Sequence, residues 1–127
     1  MKATVTGFFD AAHQLPYMPE LYSTSCMNVH GHTYKVEITV FAYEAIPMVV
    51  DFGIIKAIIK SFDHKRIEQA FDDIGWSGEP TTAENIVRAF EHKLRMQLPE
   101  SVKLWHIALW EGWKGDNSNK IEMDYAK

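Results

Sequence analysis

The sequence has a single cysteine, Cys26, in 127 residues. One thiol cannot form a disulfide within the chain, and this is typical of proteins from a reducing compartment. The sequence also has no run of about 18 apolar residues, the length that predicts a membrane-spanning helix. Residues 1–15 contain Asp10 and His13 where a secretory signal would need an apolar core. These absences predict a cytoplasmic protein with no membrane partner.

An excess of positive charge is also lacking. The chain has 13 Lys and Arg against 17 Asp and Glu, a formal net charge of -4, and its cations are scattered along the sequence. Nucleic-acid-binding domains usually group their cations into a patch or stripe. The composition therefore predicts no nucleic-acid partner.

What the chain does have is enough apolar material for one core. Hydrophobic residues make up 46% of the sequence, and at this length that suffices for a self-supporting fold. No repeat, linker or low-complexity segment divides the chain. We expect one globular domain over residues 1–127.

Two segments alternate apolar and polar residues with the period of a β-strand. In residues 3–13 the odd-numbered positions are largely apolar, and in residues 30–40 the even-numbered positions are. His13, His30 and His32 all fall on these apolar faces. The alternation predicts two strands whose histidines face the interior.

Later segments predict two further strands. Residues 102–113 are apolar on both faces, which is typical of a central or doubly covered strand, and this strand is expected to end near Glu111. Residues 114–127 predict a polar turn followed by a short edge strand.

Two segments show the helical period instead. Within residues 48–62 a helix is predicted to begin near Asp51, with the apolar stripe Phe52, Ile55, Ile59 and Phe62. A second helix is predicted to begin after Thr81, because Thr81 and Glu84 have the spacing of a capping box, and Pro99 is expected to end it. Its apolar stripe is Ile86, Phe90, Leu94 and Leu98. The resulting order, ββααββ, predicts an α+β fold with a four-stranded antiparallel sheet covered on one face by two helices.

The histidines predict a metal site. His30 and His32 stand two residues apart on one strand face, so their Cβ atoms lie about 7 Å apart and both rings can reach one ion. His13, on the neighbouring strand, is the expected third ligand, and His106 is the alternative. His92 falls on the polar face of the second helix, where we expect it to be solvated. Three histidines with no fourth protein ligand are typical of an open zinc site that binds water or substrate.

Three further residues have the chemistry of a catalytic site. Cys26 precedes His30 by four residues, on the loop that leads into this strand, so its thiol can lie close to the open coordination position of the metal. A nearby cation favours the thiolate form. Asp63 and His64 are adjacent, and a carboxylate that orients an imidazole is a common general base. Glu111, at a strand end, can accept two parallel N–H bonds from a flat, amidine-like edge, as Arg or a 2-amino-4-oxo pyrimidine presents it.

Six motifs in order, FDAAHQL, CMNVHGHTY, PMVVDFGIIK, FDHKRIE, TTAEN and LWEG, resemble the 6-pyruvoyl-tetrahydropterin synthase superfamily. Its members share the tunnelling (T) fold. The three residues between Cys26 and the His-Gly-His element, together with Asp51-Phe52, resemble the 6-carboxy-tetrahydropterin synthase branch. The chain departs from the usual pattern at Glu68, where the family commonly has Asn, and at Gly112, where it commonly has Thr.

The resemblance implies roles for individual residues. It implies Zn2+ bound by His13, His30 and His32, with Cys26 as a catalytic proton-transfer residue.

It also implies that Asp63 and His64 form a second catalytic arm, and that Glu111 and Thr82 bind the pterin. The assembly is expected to be a homohexamer of two stacked trimers with active sites shared between subunits.

The expected reaction converts 7,8-dihydroneopterin triphosphate to 6-carboxy-5,6,7,8-tetrahydropterin with release of acetaldehyde and triphosphate, a step of queuosine-type 7-deazaguanine synthesis. The alternatives are a 6-pyruvoyl-tetrahydropterin synthase, a related pterin side-chain lyase or aldolase, a non-catalytic metal- or pterin-binding protein of the same fold, and a metal-dependent hydrolase.

Overall fold

A computed structural model describes residues 1–44, 46–115 and 119–125 of the chain. The strands are β1 (Lys2–His13), β2 (His30–Phe41), β3 (Lys65–Arg66), β4 (Lys103–Glu111) and β5 (Asn119–Asp124). The helices are α1 (Phe52–Lys60), α2 (Ile67–Asp73) and α3 (Ala83–Gln97). A short 3-10 helix, Thr24–Met27, lies between β1 and β2.

The described strands form one sheet in the order β3-β1-β2-β4-β5. β1, β2, β4 and β5 pair antiparallel, whereas β3 runs parallel to β1. The α+β class is confirmed, but the predicted four-stranded antiparallel sheet and the order ββααββ are wrong. The sheet is mixed and five-stranded, and the order is ββαβααββ. β3 has only two residues, too few to show an alternation in the sequence.

Helix α2 is the second element that periodicity does not reveal. It has 7 residues, about two turns, so its stripe of Ile67, Ala70 and Phe71 is short. All three side chains are buried in the hydrophobic core. Tertiary packing, rather than a long amphipathic pattern, therefore stabilises this helix.

The ends of the two longer helices lie close to their predicted positions. Asp51 caps α1, because its Oδ1 accepts a hydrogen bond of 2.8 Å from the Gly53 N–H. α3 ends at Gln97, two residues before Pro99. The predicted stripe of α1 is wrong at Phe52, which is 51% exposed. The buried face of α1 instead consists of Ile55, Ile58 and Ile59.

The hydrophobic core lies between the helices and one face of the sheet. On that face Phe9 of β1 stacks on Tyr34 of β2, with ring centroids 4.7 Å apart. Phe62 and Phe90, from the helical layer, contact Phe9 at 5.7 and 5.8 Å. The odd positions of β1 and the even positions of β2 form this face, as the alternation predicts.

The other face of the sheet is open within one chain. Phe8 is 55% exposed there, and Trp105 and Trp110 of β4 are half-buried. β4 is central in the sheet as predicted and ends at Glu111, but its second face is not covered by the described residues. β5 is an edge strand, as predicted, and the preceding turn falls partly on residues 116–118, outside the described residues. None of the described helices has the length and apolarity that crossing a membrane requires.

We expect Phe9→Ala to lower the free energy of unfolding by about 3–5 kcal/mol, because it opens a cavity among three aromatic rings. Phe8→Ala is the matched control, since Phe8 is the next residue on the same strand and faces the open side; we expect a loss below about 1 kcal/mol. Denaturant unfolding of both variants measures the difference. Equal losses would contradict the placement of the core.

Candidate active site

Pairing between β1 and β2 brings three histidines together. His13, the last residue of β1, is directly opposite His30, the first residue of β2, and His32 follows on the same face. The ring centroids are 4.4 Å (His13 to His30), 5.4 Å (His13 to His32) and 5.0 Å (His30 to His32) apart. One nitrogen from each ring lies within 4.8 Å of the other two.

Backbone carbonyls fix the tautomers of two of these rings. His13 Nδ1 is 2.7 Å from the Thr81 carbonyl oxygen, and His30 Nδ1 is 2.7 Å from the Asn28 carbonyl oxygen. A carbonyl can only accept a hydrogen bond, so each Nδ1 carries the proton. The Nε2 lone pairs of both rings therefore remain available for another partner.

The environment of the rings suits a metal ion. His13 Nε2 and His32 Nε2 are buried and have no hydrogen-bond partner among the described residues, an arrangement that costs free energy unless a ligand binds there. Burial lowers the pKa of His13 and of His32, which favours the neutral imidazoles that metals bind. The donor set fits an open site for a divalent transition metal.

The histidines form one wall of a cleft of about 530 Å³, a size typical of small-molecule sites. Cys26, Thr82 and Glu111 also line this cleft. Cys26 lies on the 3-10 helix, and its carbonyl oxygen accepts a hydrogen bond of 3.1 Å from the Leu15 N–H. That bond ties the cysteine loop to the residues just after His13.

Glu111 enters the cleft from the end of β4. Its Oε1 is 3.7 Å from His32 Nε2, longer than a hydrogen bond. The next residue, Gly112, has φ of +70° and turns the chain away from the sheet, a conformation that favours glycine. The Trp113 N–H then donates to the Thr33 carbonyl oxygen at 2.7 Å and fixes the turn.

The N-cap of α3 is Thr82, one residue later than the capping box predicts. The Asn85 N–H donates to Thr82 Oγ1 at 3.3 Å. Thr81 is 1% exposed, and its hydroxyl donates to Glu68 Oε2 at 2.8 Å. The predicted Thr81 cap is therefore wrong because that hydroxyl is used in a tertiary contact.

Asp63 and His64 form a pair as expected, but outside the cleft. His64 Nδ1 is 2.8 Å from Asp63 Oδ2, and 79% of the His64 side chain is exposed. The Asp10 N–H donates to Asp63 Oδ1 at 2.9 Å. This bond is the largest cause that lowers the pKa of Asp63, and the hydrogen bond from His64 lowers it further. His64 has φ of +55°, while its N–H donates to the Asp10 carbonyl oxygen at 2.7 Å.

The remaining histidines lie elsewhere. His106 Nε2 is 3.0 Å from Glu122 Oε1 on the open face of the sheet, so the structure does not bring this alternative ligand to the triad. His92, expected to be solvated, is half-buried beside Trp76, with ring centroids 5.6 Å apart.

Several residues of the site were not singled out as functional by the sequence. Tyr34 packs edge-on against His32, with ring centroids 5.7 Å apart, and burial raises its pKa so that it stays a neutral phenol. Its place two residues after His32 on the same face is a signal that the alternation contains. Thr81 and Glu68 contact the His13 region from distant segments, and no spacing rule reveals such contacts.

The chain matches known proteins over most of its length. A family model described as 6-pyruvoyl tetrahydropterin synthase matches residues 2–119. A dihydroneopterin monophosphate aldolase of Pyrococcus furiosus is 32% identical over 131 residues, which cover 98% of this chain and 100% of the relative. A 6-carboxy-5,6,7,8-tetrahydropterin synthase of Rickettsia bellii is 34% identical over 133 residues, which cover 87% of this chain and 94% of the relative.

Solved structures share the fold. The 6-pyruvoyl tetrahydropterin synthase of Caenorhabditis elegans matches with a TM-score of 0.68 over 99% of this chain and 96% of that chain, at 19% identity. The resemblance carried by the six motifs is thus confirmed by the family match over most of the chain. The chain belongs to the 6-pyruvoyl tetrahydropterin synthase family.

Proposed function

We propose that this protein is a zinc-dependent 6-carboxy-5,6,7,8-tetrahydropterin synthase that acts on 7,8-dihydroneopterin triphosphate and releases acetaldehyde and triphosphate. The observation that carries the proposal is one cleft that joins three histidines, a cysteine and a glutamate. The match to the relative of that name in Rickettsia bellii supports the choice of reaction.

Glu111 is the proposed anchor of the pterin ring. Its carboxylate can accept two parallel N–H bonds from the amino-pyrimidinone edge, which fixes the ring in one orientation. Thr82 lines the same cleft, and its hydroxyl hydrogen remains available because its oxygen accepts the cap bond. Together they would place the side chain of the substrate toward the histidines.

His13, His30 and His32 would hold the zinc, which, when bound, supplies a Lewis acid for the substrate hydroxyls. Cys26 is the proposed proton-transfer residue, because its half-buried thiol lines the cleft next to the histidines. Burial lowers the pKa of His13 and of His32 and so favours their neutral form. The carbonyl contacts of His13 and His30 hold the Nδ1 protons and leave each Nε2 available for the metal.

Asp63 and His64 would act in the cleft of a second copy. They do not line the cleft of their own chain, yet the Asp10 backbone holds the pair rigidly on the solvent side of β1. A homo-oligomer, expected to be a hexamer, would bring this arm to a neighbouring site. His64, oriented by Asp63, would then exchange protons with the substrate side chain.

A second candidate is a dihydroneopterin monophosphate aldolase. The relative of that name in Pyrococcus furiosus matches nearly the whole of both chains. An aldol cleavage breaks a carbon–carbon bond and releases a phosphorylated aldehyde, leaving a shortened side chain without a carboxylate. The same ring anchor and proton-transfer residues would serve this reaction, so the products distinguish the two.

The first prediction concerns the metal. Wild-type protein should bind one zinc ion per chain, and His13→Ala should weaken binding by more than about a hundred-fold, beyond the usual effect of outer-shell changes. His106→Ala is the matched control and should bind normally. Competition with a chromogenic chelator measures both affinities. Equal affinities in wild type and His13→Ala would contradict the assignment.

The affinity should also depend on pH in a defined direction. Burial lowers the pKa of His13 and His32, so both are neutral above the ordinary imidazole pKa of about 6.5. Zinc affinity should be nearly constant above that value and fall as the pH decreases below it, because protons then compete for the ring nitrogens.

The second prediction identifies the reaction. Zinc-loaded protein is incubated separately with 7,8-dihydroneopterin triphosphate and with the monophosphate, and the products are identified by mass spectrometry. We expect 6-carboxy-tetrahydropterin and acetaldehyde from the triphosphate, with turnover reduced about 10²–10⁴-fold in Cys26→Ala.

Cleavage of the monophosphate alone would select the aldolase, and a pyruvoyl product would select the remaining synthase. Unchanged turnover in a zinc-loaded Cys26→Ala protein would exclude the thiol as the proton-transfer residue. Bound zinc without turnover of either substrate would favour a binding protein.

The third prediction tests sharing of sites between chains. Cys26→Ala and His64→Ala should each be inactive as homo-oligomers. Co-expressed in equal amounts, they should recover about a quarter of wild-type activity, because each site draws Cys26 from one chain and His64 from another. No recovery in verified mixed oligomers would show that each site uses both residues of a single chain.

A further inference from the structure

A partly buried chain of hydrogen bonds runs from the proposed metal ligand His13 to Glu68. His13 Nδ1 lies 2.7 Å from the Thr81 carbonyl oxygen and 3.3 Å from Thr81 Oγ1. The Thr81 hydroxyl donates to Glu68 Oε2 at 2.8 Å, so its oxygen can only accept from the imidazole. The His13 N–H is therefore shared between two oxygens of one residue.

Glu68 also holds the backbone beside His13. The Gln14 N–H donates to the same Oε2 at 3.1 Å, and Arg66 Nε donates to Oε1 at 3.1 Å. One carboxylate thus links the end of β1, the start of α2 and the loop before α3. Removing it would release Gln14 and the Thr81 hydroxyl at the same time.

The charge of Glu68 is compatible with this role. Burial opposes its ionisation, but the hydrogen bonds from Gln14, Thr81 and Arg66 outweigh burial and hold the pKa below the ordinary value. A carboxylate is the strongest acceptor available for the Thr81 hydroxyl, and carboxylate-linked histidines are common behind metal ions.

We propose that Thr81 and Glu68 are positioning residues that fix the tautomer and the orientation of His13 so that its Nε2 faces the metal. The inference rests on the proposed zinc site and adds two residues to it. Neither residue is among the proposed ligands; both would act through the His13 ring. His30 has a separate brace, the Asn28 carbonyl oxygen at 2.7 Å from its Nδ1, so the chain through Glu68 is specific to His13.

The test measures zinc affinity of folded variants and the absorption spectrum of the cobalt-substituted protein. Thr81→Val keeps the shape and the carbonyl but removes the hydroxyl, and we expect about ten-fold weaker zinc binding. Thr81→Ser restores the hydroxyl and should restore both affinity and spectrum. Glu68→Ala should lose affinity to a similar extent.

The double variant tests whether the two residues act as one chain. Thr81→Val combined with Glu68→Ala should bind zinc about ten-fold more weakly than wild type, no worse than either single variant, whereas independent effects would multiply to about a hundred-fold. Glu91→Ala is the matched control. It removes an ion pair within helix α3, in which Arg95 Nε lies 2.9 Å from Glu91 Oε2, and this pair is outside the site. The zinc affinity of this variant should equal that of wild type.

The outcomes separate this inference from the proposed function. If wild type binds zinc and the single variants bind it equally well, the positioning role is overturned and the zinc site stands. If wild type binds no zinc, both are overturned. Losses that multiply also overturn the inference, because the two residues would then act independently of one another. A loss in Glu91→Ala overturns it as well, because it would indicate general destabilisation. Should Glu68→Ala not fold, the comparison of Thr81→Val with Thr81→Ser decides alone.

Discussion

The register between β1 and β2 is the constraint on which the rest of the site depends. One alignment of the two strands produces two pairings. It places Phe9 opposite Tyr34 in the core, and it places His13 opposite His30 at the strand ends. A slip by one residue would turn the apolar face of one strand to solvent and separate the histidines. Burial of the aromatic core therefore positions the histidines, and the connecting segments add other residues to the cleft, among them Cys26 and Thr82.

The sequence predicted what depends on local pattern and failed where a distant contact decides. Alternation placed His13, His30 and His32 on one face, and the helix signals at Asp51 and Pro99 were close to the observed ends. β3 and α2 are too short to carry a period of their own. Thr81 has the composition and spacing of a cap, yet it serves His13, 68 residues away along the chain. Contacts of this kind are set by packing of elements, which no local window contains.

The site contains buried polar atoms that lack hydrogen-bond partners among the described residues, which is unfavourable for stability. Buried polar atoms normally have partners, but His13 Nε2, His32 Nε2 and the Tyr34 hydroxyl have none among the described residues. Each such atom costs about 1–3 kcal/mol in the absence of a partner. The fold tolerates this because the aromatic layer beneath, from Phe9 to Phe90, is well packed. A ligand that binds these atoms would therefore also stabilise the folded chain.

The carbonyl contacts of His13 and His30 have a consequence for metal identity. They orient two imidazole nitrogens toward the proposed metal position, and affinity for such donors follows the Irving–Williams order, in which Cu2+ exceeds Zn2+. Three imidazoles beside the Cys26 thiol give no intrinsic preference for zinc, since a thiol also suits Cu+. If zinc binds there as proposed, its selection over copper would have to come from the metal supply rather than from the donor set.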